Sequence, residues 1–480
     1  MTEYAGILML LVVAGAMMLT GLPTWLVLIG TALVFAISGV VADVIPAQLF
    51  GGVAPRLVGL FENDLLQALP LYVLMGALLN RLPLADTLFR AAMRIMPRGG
   101  AAAPLAAVLL AGVFAPMNGS VGASVVMLGR SVAPRLEGRV SPASLGALVA
   151  ASSTLGIVVP PSLVLILLGD ALLRAHTEAI NVTGHAVQVV NTQDVFRGAL
   201  VPACAVLLLT LAVTWVLTRV SRDASAPHAR PALSRAEAAT AVVAVAAIVA
   251  LLGAVTLGYV YAVEAAAAGG VALFVYGVVT RSITRPVLRA VLRDTIEVTG
   301  ALFALLVAAT MFTLVVRAFG TDRVVAHWLD AMGGGTYATL ASGLVAIALC
   351  AFVLDAFEMI FVVIPVLVPP MLVHIADPVW IAVLVLLILQ ASFLAPPFGY
   401  ATLMVRNVLE LRVSVAALGR ALLPYVLVQL LVIAVVLASP GVLWRPDAAA
   451  AGSAAPRMSD EDARQLMERQ LAPPTDEPRQ

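Results

Sequence analysis

An all-α polytopic membrane protein is the fold class this sequence predicts, and three observations predict it. The 480-residue chain is 62% hydrophobic and only 11% charged, with a mean hydropathy of +1.04, whereas soluble domains carry roughly 25% charge. The charges are also clustered. None occurs in 4–42, 99–129, 140–169, 198–218, 238–263, 298–316, 331–354, 378–405 or 421–444. A hydrocarbon core about 30 Å thick takes about 20 apolar residues as helix, and these runs meet or approach that length repeatedly. Finally, 28 Lys and Arg stand against 27 Asp and Glu, a net charge of +1. That balance gives neither a basic surface for nucleic acid nor an acidic field for steering cations, and the apolar runs make membrane lipids the expected surroundings. Cys204 and Cys350 lie in separate apolar runs and offer neither a disulfide framework nor a CxxC metal clip.

The first apolar run is long enough for two helices, with Gly21-Leu22-Pro23 as the break between them. It lacks a basic n-region and is followed by many similar runs, so it reads as membrane helix, not as a cleaved signal peptide. Residues 1–59 therefore form N-terminal membrane helices. A connector with Asp43, Arg56, Glu62 and Asp64 leads into the apolar segment 65–80. Residues 170–197, with Asp170, His176, Glu178, Asn181, His185 and Asp194, are expected to be an extramembrane loop or a short amphipathic helix. The linker 220–236 precedes an apolar hairpin, 238–280, with a short tip near Gly258 to Val263. Arginines cluster in 81–98, 220–236 and 281–295, which the positive-inside rule places on the cytoplasmic side. Residues 442–480 form a polar tail whose composition predicts little order.

Pro, Gly and small polar residues concentrate at two places inside apolar runs. The first joins Met117-Asn118-Gly119-Ser120 to Ser152-Ser153-Thr154-Leu155-Gly156-Ile157-Val158-Val159-Pro160-Pro161-Ser162. The second joins Asp355–Glu358 to Gln390-Ala391-Ser392-Phe393-Leu394-Ala395-Pro396-Pro397-Phe398-Gly399. A Pro-Pro pair removes two amide donors and clashes with preceding carbonyls, so the helix unwinds there. Unwound backbone at membrane depth needs protein or a water-filled cavity around it. It exposes carbonyls suited to a cation and helix N-termini suited to an anion. The bland alternative is a connector at the membrane surface.

The two places are related by position. Pro134, Pro142, Pro160 and Pro161 recur 236 residues later as Pro370, Pro378, Pro396 and Pro397. This predicts two structural repeats, 60–219 with a hairpin near 141–169 and 296–441 with a hairpin near 378–405. Residues 220–295 form the linker and central hairpin between them. Paired discontinuous segments in two halves point to the site of a secondary transporter.

Each candidate residue has two readings. Asp355 has no charge in the 24 positions before it, so it is either a functional intramembrane carboxylate or the polar end of a span. Glu358 falls on the same side of a helix. Asn118 and Ser120, around the permissive Gly119, fit an ion or substrate site and equally a helix–helix hydrogen bond. Ser153, Thr154 and Gly156 stand beside the carbonyls that Pro160 and Pro161 free, and Ser392 and Gly399 have the matching place beside Pro396 and Pro397. No histidine–carboxylate spacing makes a zinc motif, and neither a Walker A loop nor a GxSxG elbow occurs. The chain is not expected to be an enzyme, although a membrane enzyme with a convergent centre stays as a competing reading.

These residues carry a resemblance. Phe114-Ala115-Pro116-Met117-Asn118-Gly119-Ser120, the run ASSTLGIVVPPS from Ala151 to Ser162, Glu264-Ala265-Ala266-Ala267, and Asp377-Pro378 followed by Pro396-Pro397-Phe398-Gly399 resemble the large membrane subunit of the tripartite ATP-independent periplasmic (TRAP) transporters, over about residues 5–441. The resemblance implies a permease of the bacterial inner membrane, working with a small TRAP membrane subunit and a periplasmic substrate-binding protein. It also implies an elevator-type secondary transporter that imports a small organic anion on a Na⁺ gradient and holds no cofactor. Asn118, Gly119, Ser120, Ser153, Thr154, Gly156, Pro160 and Pro161 would form one side of the ion and substrate neighbourhood. Asp355, Pro365, Pro369, Ser392, Pro396, Pro397 and Gly399 would form the other. The chain departs from the family pattern at Asn118 and Ser392, at Ala395 where a Thr is usual, and at Tyr261-Ala262-Val263 before Glu264. An independent ion-coupled carrier of related fold is the second alternative.

Overall fold

The computed structural model describes residues 4–62, 64–97, 99–114, 117, 120–138, 140–183, 191–220, 232–331, 335–375, 377–397 and 399–444. The chain divides into two compact units, Met1–Leu443 and Trp444–Gln480. Only Trp444 of the second unit is described, so the tail expected at 442–480 lies almost wholly outside the described residues.

The first unit is helical. The opening run splits as expected into α1 (Ala5–Thr20) and α2 (Thr24–Val41). Gly21 ends α1 in the left-handed region at φ 63°, its N–H donating to the Met17 carbonyl, and Pro23 starts α2. Next come α3 (Val53–Phe61), α4 (Asp64–Arg81), α5 (Leu84–Ile95), α6 (Ala102–Phe114), α7 (Val121–Ser131) and the single turn α8 (Ala133–Leu136). The first proline-broken unit comprises α9 (Pro142–Ser153), α10 (Leu155–Val158) and α11 (Leu163–Thr183), with its two arms bent by 42°. After α12 (Thr192–Val220) comes the central hairpin of α13 (Arg235–Leu257) and α14 (Ala262–Val279). Ser234 and Glu237 form a capping box at its start, and Gly258 at φ 86° closes α13. The second half holds α15 (Arg285–Ala318), α16 (Thr321–Ala331), α17 (Gly335–Cys350), α18 (Ala356–Glu358), a π-helical turn at Met359–Val363, and α19 (Ile364–His374). It ends with α20 (Pro378–Leu394), α21 (Tyr400–Val408) and α22 (Val415–Ala438).

Seven helices among the described residues are long and apolar enough to cross a membrane, and nine if each bent pair is one span. The protein is therefore a polytopic membrane protein. Burial separates an outer shell from an inner core. Only 17% of the apolar window of α13 is buried inside the protein, against 78% for Ala356–His374. Of the residues in α20, all but Ile388 are buried, as a helix apolar all round requires, and it packs on α10, α11, α12, α17, α21 and α22. The outer shell also includes α2 and α14, with 33% and 39% of their apolar windows buried, while α4, itself largely buried, packs on α14 and α15, and α15 packs on α2. At 1.5 Å per residue the 34 residues of α15 reach about 51 Å, well beyond the hydrocarbon core, and its N-terminal turns carry the charges from Arg285 to Glu297.

The arginine-rich connectors meet at one end of the bundle. Arg81 Nη2 lies 2.5 Å from Asp294 Oδ2 and Arg90 Nη2 lies 2.6 Å from Glu237 Oε1. These pairs join 81–98 to the segment 281–295 and to the start of α13 just after the linker, as the sequence pattern requires.

Of the two readings of 170–197, loop or amphipathic helix, the loop is corrected and the described residues are helical with one buried face, as the continuation of longer helices. Helix α11 continues to Thr183 and α12 begins at Thr192, with 184–190 outside the described residues. The helix survives its polarity because Ala171, Leu172, Ala175, His176 and Ala179 bury one face. Arg174 pairs with Asp170 one turn back at 3.1 Å, and Glu178 is matched from α15. The hairpin expected near 141–169 therefore extends further toward the C-terminus.

Candidate functional site

The first break follows from missing amides. Proline at 160 and 161 leaves the Gly156 and Ile157 carbonyls without their helical donors, and Val159 turns extended at φ −73°, ψ 114°. The Ser162 hydroxyl then donates to the Ile157 carbonyl at 3.1 Å and accepts the Leu165 N–H at 3.2 Å. One side chain thus closes the end of α10 and caps the start of α11. Both Pro-Pro bonds of these breaks, at 160–161 and 396–397, are cis.

Ser153 and Thr154 are fully buried, and their hydroxyls donate to the Ala150 and Ala151 carbonyls at 2.8 and 2.9 Å. Their hydrogens are committed and their lone pairs remain. Ser152 Oγ is buried without a hydrogen-bond partner among the described residues. Ser120 caps α7 by accepting the Ala123 N–H at 3.1 Å. Asn118 and Gly119 lie outside the described residues.

At the second break, Pro396 and Pro397 free the Ser392 and Phe393 carbonyls. The Ala395 N–H serves Ser392 at 3.1 Å, the Gly399 N–H serves Ala395 at 2.9 Å, and the Thr402 hydroxyl serves Leu394 at 3.3 Å. Gly399 is required by space, since a Cβ there would lie 2.5 Å from the Phe393 carbonyl oxygen and 2.9 Å from that of Ala395. Two residues before Ser392, Gln390 is fully buried, and neither its Oε1 nor its Nε2 has a partner among the described residues.

The two breaks share one core. Helix α10 packs on α20 and α7, and α21 packs on α7 and α9. The Pro396 ring faces Gly419 of α22, where a Cβ would sit 3.3 Å from its Cγ. Pro365 and Pro369 lie instead in α19, which packs on α11, α16 and α17. Because Pro369 has no N–H, the Pro365 carbonyl is freed, and Arg317 Nη2 donates to it at 2.9 Å while pairing with Glu178 Oε2 at 2.7 Å.

Asp355 precedes the helix, so the two carboxylates are not side by side on one helical face. Its Oδ1 accepts the Phe357 and Glu358 N–H groups at 2.9 and 3.0 Å, and Glu358 Oε2 accepts the Asp355 N–H at 2.9 Å. This is a capping box. The other Glu358 oxygen accepts the hydroxyl of Thr24 in α2, and Glu358 is 6% exposed. Sequence reasoning missed this contact, because 334 residues separate the partners and no local pattern marks Thr24.

Two clefts flank this turn. One, of about 290 Å³, is lined among others by Asn80, Ser120, Arg130, Leu163, Asp294 and Phe357. It brings the start of α7, the start of α11 and the Asp355–Glu358 turn to one space. The other, of about 490 Å³, is lined among others by Arg56, Arg174, Glu178, Arg317, Ile360 and Phe361. Between them stands roughly one helical turn on each side: Phe357 against Ile360, and Leu302 against Leu306 of α15. Each cleft holds one guanidinium more than its carboxylates, with Arg81 and Arg130 over Asp294 in the first, and Arg56, Arg174 and Arg317 over Asp170 and Glu178 in the second. Among the described residues no group of three or more His, Cys, Asp or Glu could hold a metal ion. The buried donors near the breaks are oxygens of hydroxyl, amide and carbonyl type, the kind a hard monovalent cation takes.

Residues 10–442 match the family model described as the tripartite ATP-independent periplasmic transporter, DctM component. The chain is 23% identical over 440 residues to the C4-dicarboxylate TRAP transporter large permease protein DctM of Rhodobacter capsulatus, covering 89% of this chain and 95% of that one. It is also 23% identical over 429 residues to the sialic acid TRAP transporter large permease protein of Vibrio cholerae, covering 88% and 94%. Among solved structures, the YdaH transporter of Alcanivorax borkumensis has a similar fold, with a TM-score of 0.58 at 15% identity over 82% of this chain and 88% of that one. MtrF of Neisseria gonorrhoeae matches with a TM-score of 0.53 at 14% identity, over 82% and 83%.

Proposed function

The chain belongs to the DctM component family of the tripartite ATP-independent periplasmic transporters, and from that premise we propose that it is the large permease subunit of a cation-coupled importer of small organic acids. A small membrane subunit completes the permease, a periplasmic binding protein delivers the acid, and the arginine-rich end faces the cytoplasm of a bacterial inner membrane. The observation that carries the reading is the pair of clefts on either side of the 357–360 turn, each with one guanidinium in excess. A carrier of anions needs access from both sides with one thin barrier between, and a carboxylate leaving water needs an opposite charge. The relatives named for C4-dicarboxylates, sialic acid and 2,3-diketo-L-gulonate support the class of cargo.

In this mechanism 60–219 and 296–441 are two repeats whose proline-broken arms form the moving domain, while 1–59 and 220–295 belong to the scaffold. Sodium is the coupling ion. It is held by carbonyl and side-chain oxygens around Ser153, Thr154 and Gly156 and around Ser392, with the buried Ser152 Oγ and Gln390 Oε1 as further candidate donors. Cation binding lowers the cost of bringing the anion into the interior. Ligands then act by their different affinities for the outward and inward states.

The test is uptake of an organic-acid panel by proteoliposomes carrying the chain with its small subunit and binding protein. Uptake is expected to require both the binding protein and an inward Na⁺ gradient. Uptake without the binding protein would make the chain an independent carrier, and uptake indifferent to Na⁺ would remove sodium as the coupling ion.

A further inference from the structure

The larger cleft lies between α3 and α15 on one side and α11 and α19 on the other, and its charges are unevenly committed. Arg174 Nε is 3.1 Å from Asp170 Oδ2, one turn away on the same helix. Arg317 Nη2 is divided between Glu178 and the Pro365 carbonyl that Pro369 leaves without an amide. Both cleft carboxylates therefore already face a guanidinium. Arg56, exposed on the amphipathic helix α3 at the mouth of the cleft that it helps to line, has no ion-pair or hydrogen-bond partner among the described residues. A guanidinium carries five donors in a planar fork that matches one carboxylate in a two-point contact.

The rest of the cleft sets what hangs from that carboxylate. Thr310 and Thr313 donate their hydroxyl hydrogens to the Leu306 and Ala309 carbonyls of their own helix at 2.8 Å, so toward the cleft they offer lone pairs only. They accept from a ligand hydroxyl and give nothing to a second carboxylate. Leu60, Ala171 and Phe361 add apolar wall. With a single unpaired cation, a second anionic group would stand beside Asp170 or Glu178 with nothing to match it, and like charges at short range are unfavourable in such a setting.

We propose that Arg56 is the carboxylate receptor of this cleft and that it selects monocarboxylates over dicarboxylates. This rests on the reading of the chain as an organic-acid permease and narrows its cargo. In the transport cycle the acid docks on Arg56 from the side opposite the arginine-rich end. It leaves Arg56 when the barrier at 357–360 shifts, while Arg317 stays with Glu178 and Pro365 as a structural tie.

The experiment uses the permease complex in lipid nanodiscs, with radiolabelled benzoate and gluconate as monocarboxylate probes, succinate as the dicarboxylate and benzamide as the uncharged analogue. Measured by equilibrium binding, a monocarboxylate is expected to bind about tenfold or more tighter than succinate or benzamide, one tenfold step being the size of one charge-assisted contact. Arg56→Gln is expected to abolish that margin, Arg56→Lys to restore part of it, and Arg412→Gln, which lies outside the cleft, to leave it unchanged. Thermal unfolding of each variant checks that the fold is kept. Monocarboxylate binding by Arg56→Gln within about twofold of the parent would overturn the assignment while leaving the permease reading intact, as would equal binding of succinate by the parent. Failure of every carboxylate to bind the parent or to be taken up by the complete system would overturn both.

Discussion

The two proline turns present the same backbone problem and solve it differently. After Pro160-Pro161 a hydroxyl supplies the missing partners, with Ser162 serving the Ile157 carbonyl and the Leu165 amide together. After Pro396-Pro397 the solution is mainly backbone: the Ala395 N–H serves the freed Ser392 carbonyl, the missing Cβ of Gly399 leaves room for the turn, and Thr402 serves the neighbouring Leu394 carbonyl at 3.3 Å. The helices that accompany the breaks differ in a parallel way. Ser120 caps α7 with a hydroxyl oxygen, and Asp355 caps α18 with a carboxyl one. The two proline turns and the two caps thus share a geometric task without sharing the group that performs it. A hydroxyl or carboxylate near a break is therefore a ligand candidate only for the lone pairs that its structural task leaves over.

The largest effect that would break this contrast is at Gly399. Gly399→Ala forces a methyl group against two backbone carbonyls, and we expect a loss of about 3 kcal/mol, the upper range for overpacking, read as a lower midpoint in thermal unfolding of the purified complex. A variant as stable as the parent would show that the second turn does not depend on close backbone approach. Ser162→Ala comes next. It leaves a buried carbonyl unserved and is expected to cost about 2 kcal/mol, whereas Thr402→Val, at a longer bond, is expected to cost only about 0.5 kcal/mol. Equal costs for these two would erase the distinction between a side-chain and a backbone solution.

The caps sharpen the comparison further. Ser120→Ala and Asp355→Ala are each expected to cost about 1 kcal/mol as lost N-caps. Asp355→Asn keeps an oxygen able to cap and should unfold like the parent, so any loss of uptake in that variant reports the carboxyl group itself. Unchanged uptake in Asp355→Asn would reduce Asp355 to its capping role.

Much of the fold could be read from the sequence wherever a signal was local. Gly21-Leu22-Pro23 marked the first turn, the proline pairs marked the two breaks, and the arginine clusters marked the end at which Arg81, Arg90 and their partners meet. The loop reading of 170–197 misled, because polarity was counted without pairing. Asp170 and Arg174 neutralise one another along the helix, and Glu178 is neutralised by Arg317, 139 residues away. The candidate site was legible as a neighbourhood but not as a set of contacts. Thr24 beside Glu358, Arg317 on the Pro365 carbonyl, and the buried Gln390 all depend on tertiary neighbours that no spacing encodes.

The proposed mechanism requires the barrier formed by the 357–360 turn and α15 to move, and tying the two together tests that requirement most directly. With Cys204 and Cys350 replaced by alanine, Thr310→Cys and Phe361→Cys place one thiol on α15 and one on the π-helical turn that follows, both lining the larger cleft. A short bis-methanethiosulfonate reagent can bridge them in reconstituted proteoliposomes. Bridging is expected to stop uptake and reduction to restore it, with single-cysteine controls unaffected. Uptake at the unbridged rate with the link in place would contradict a moving barrier.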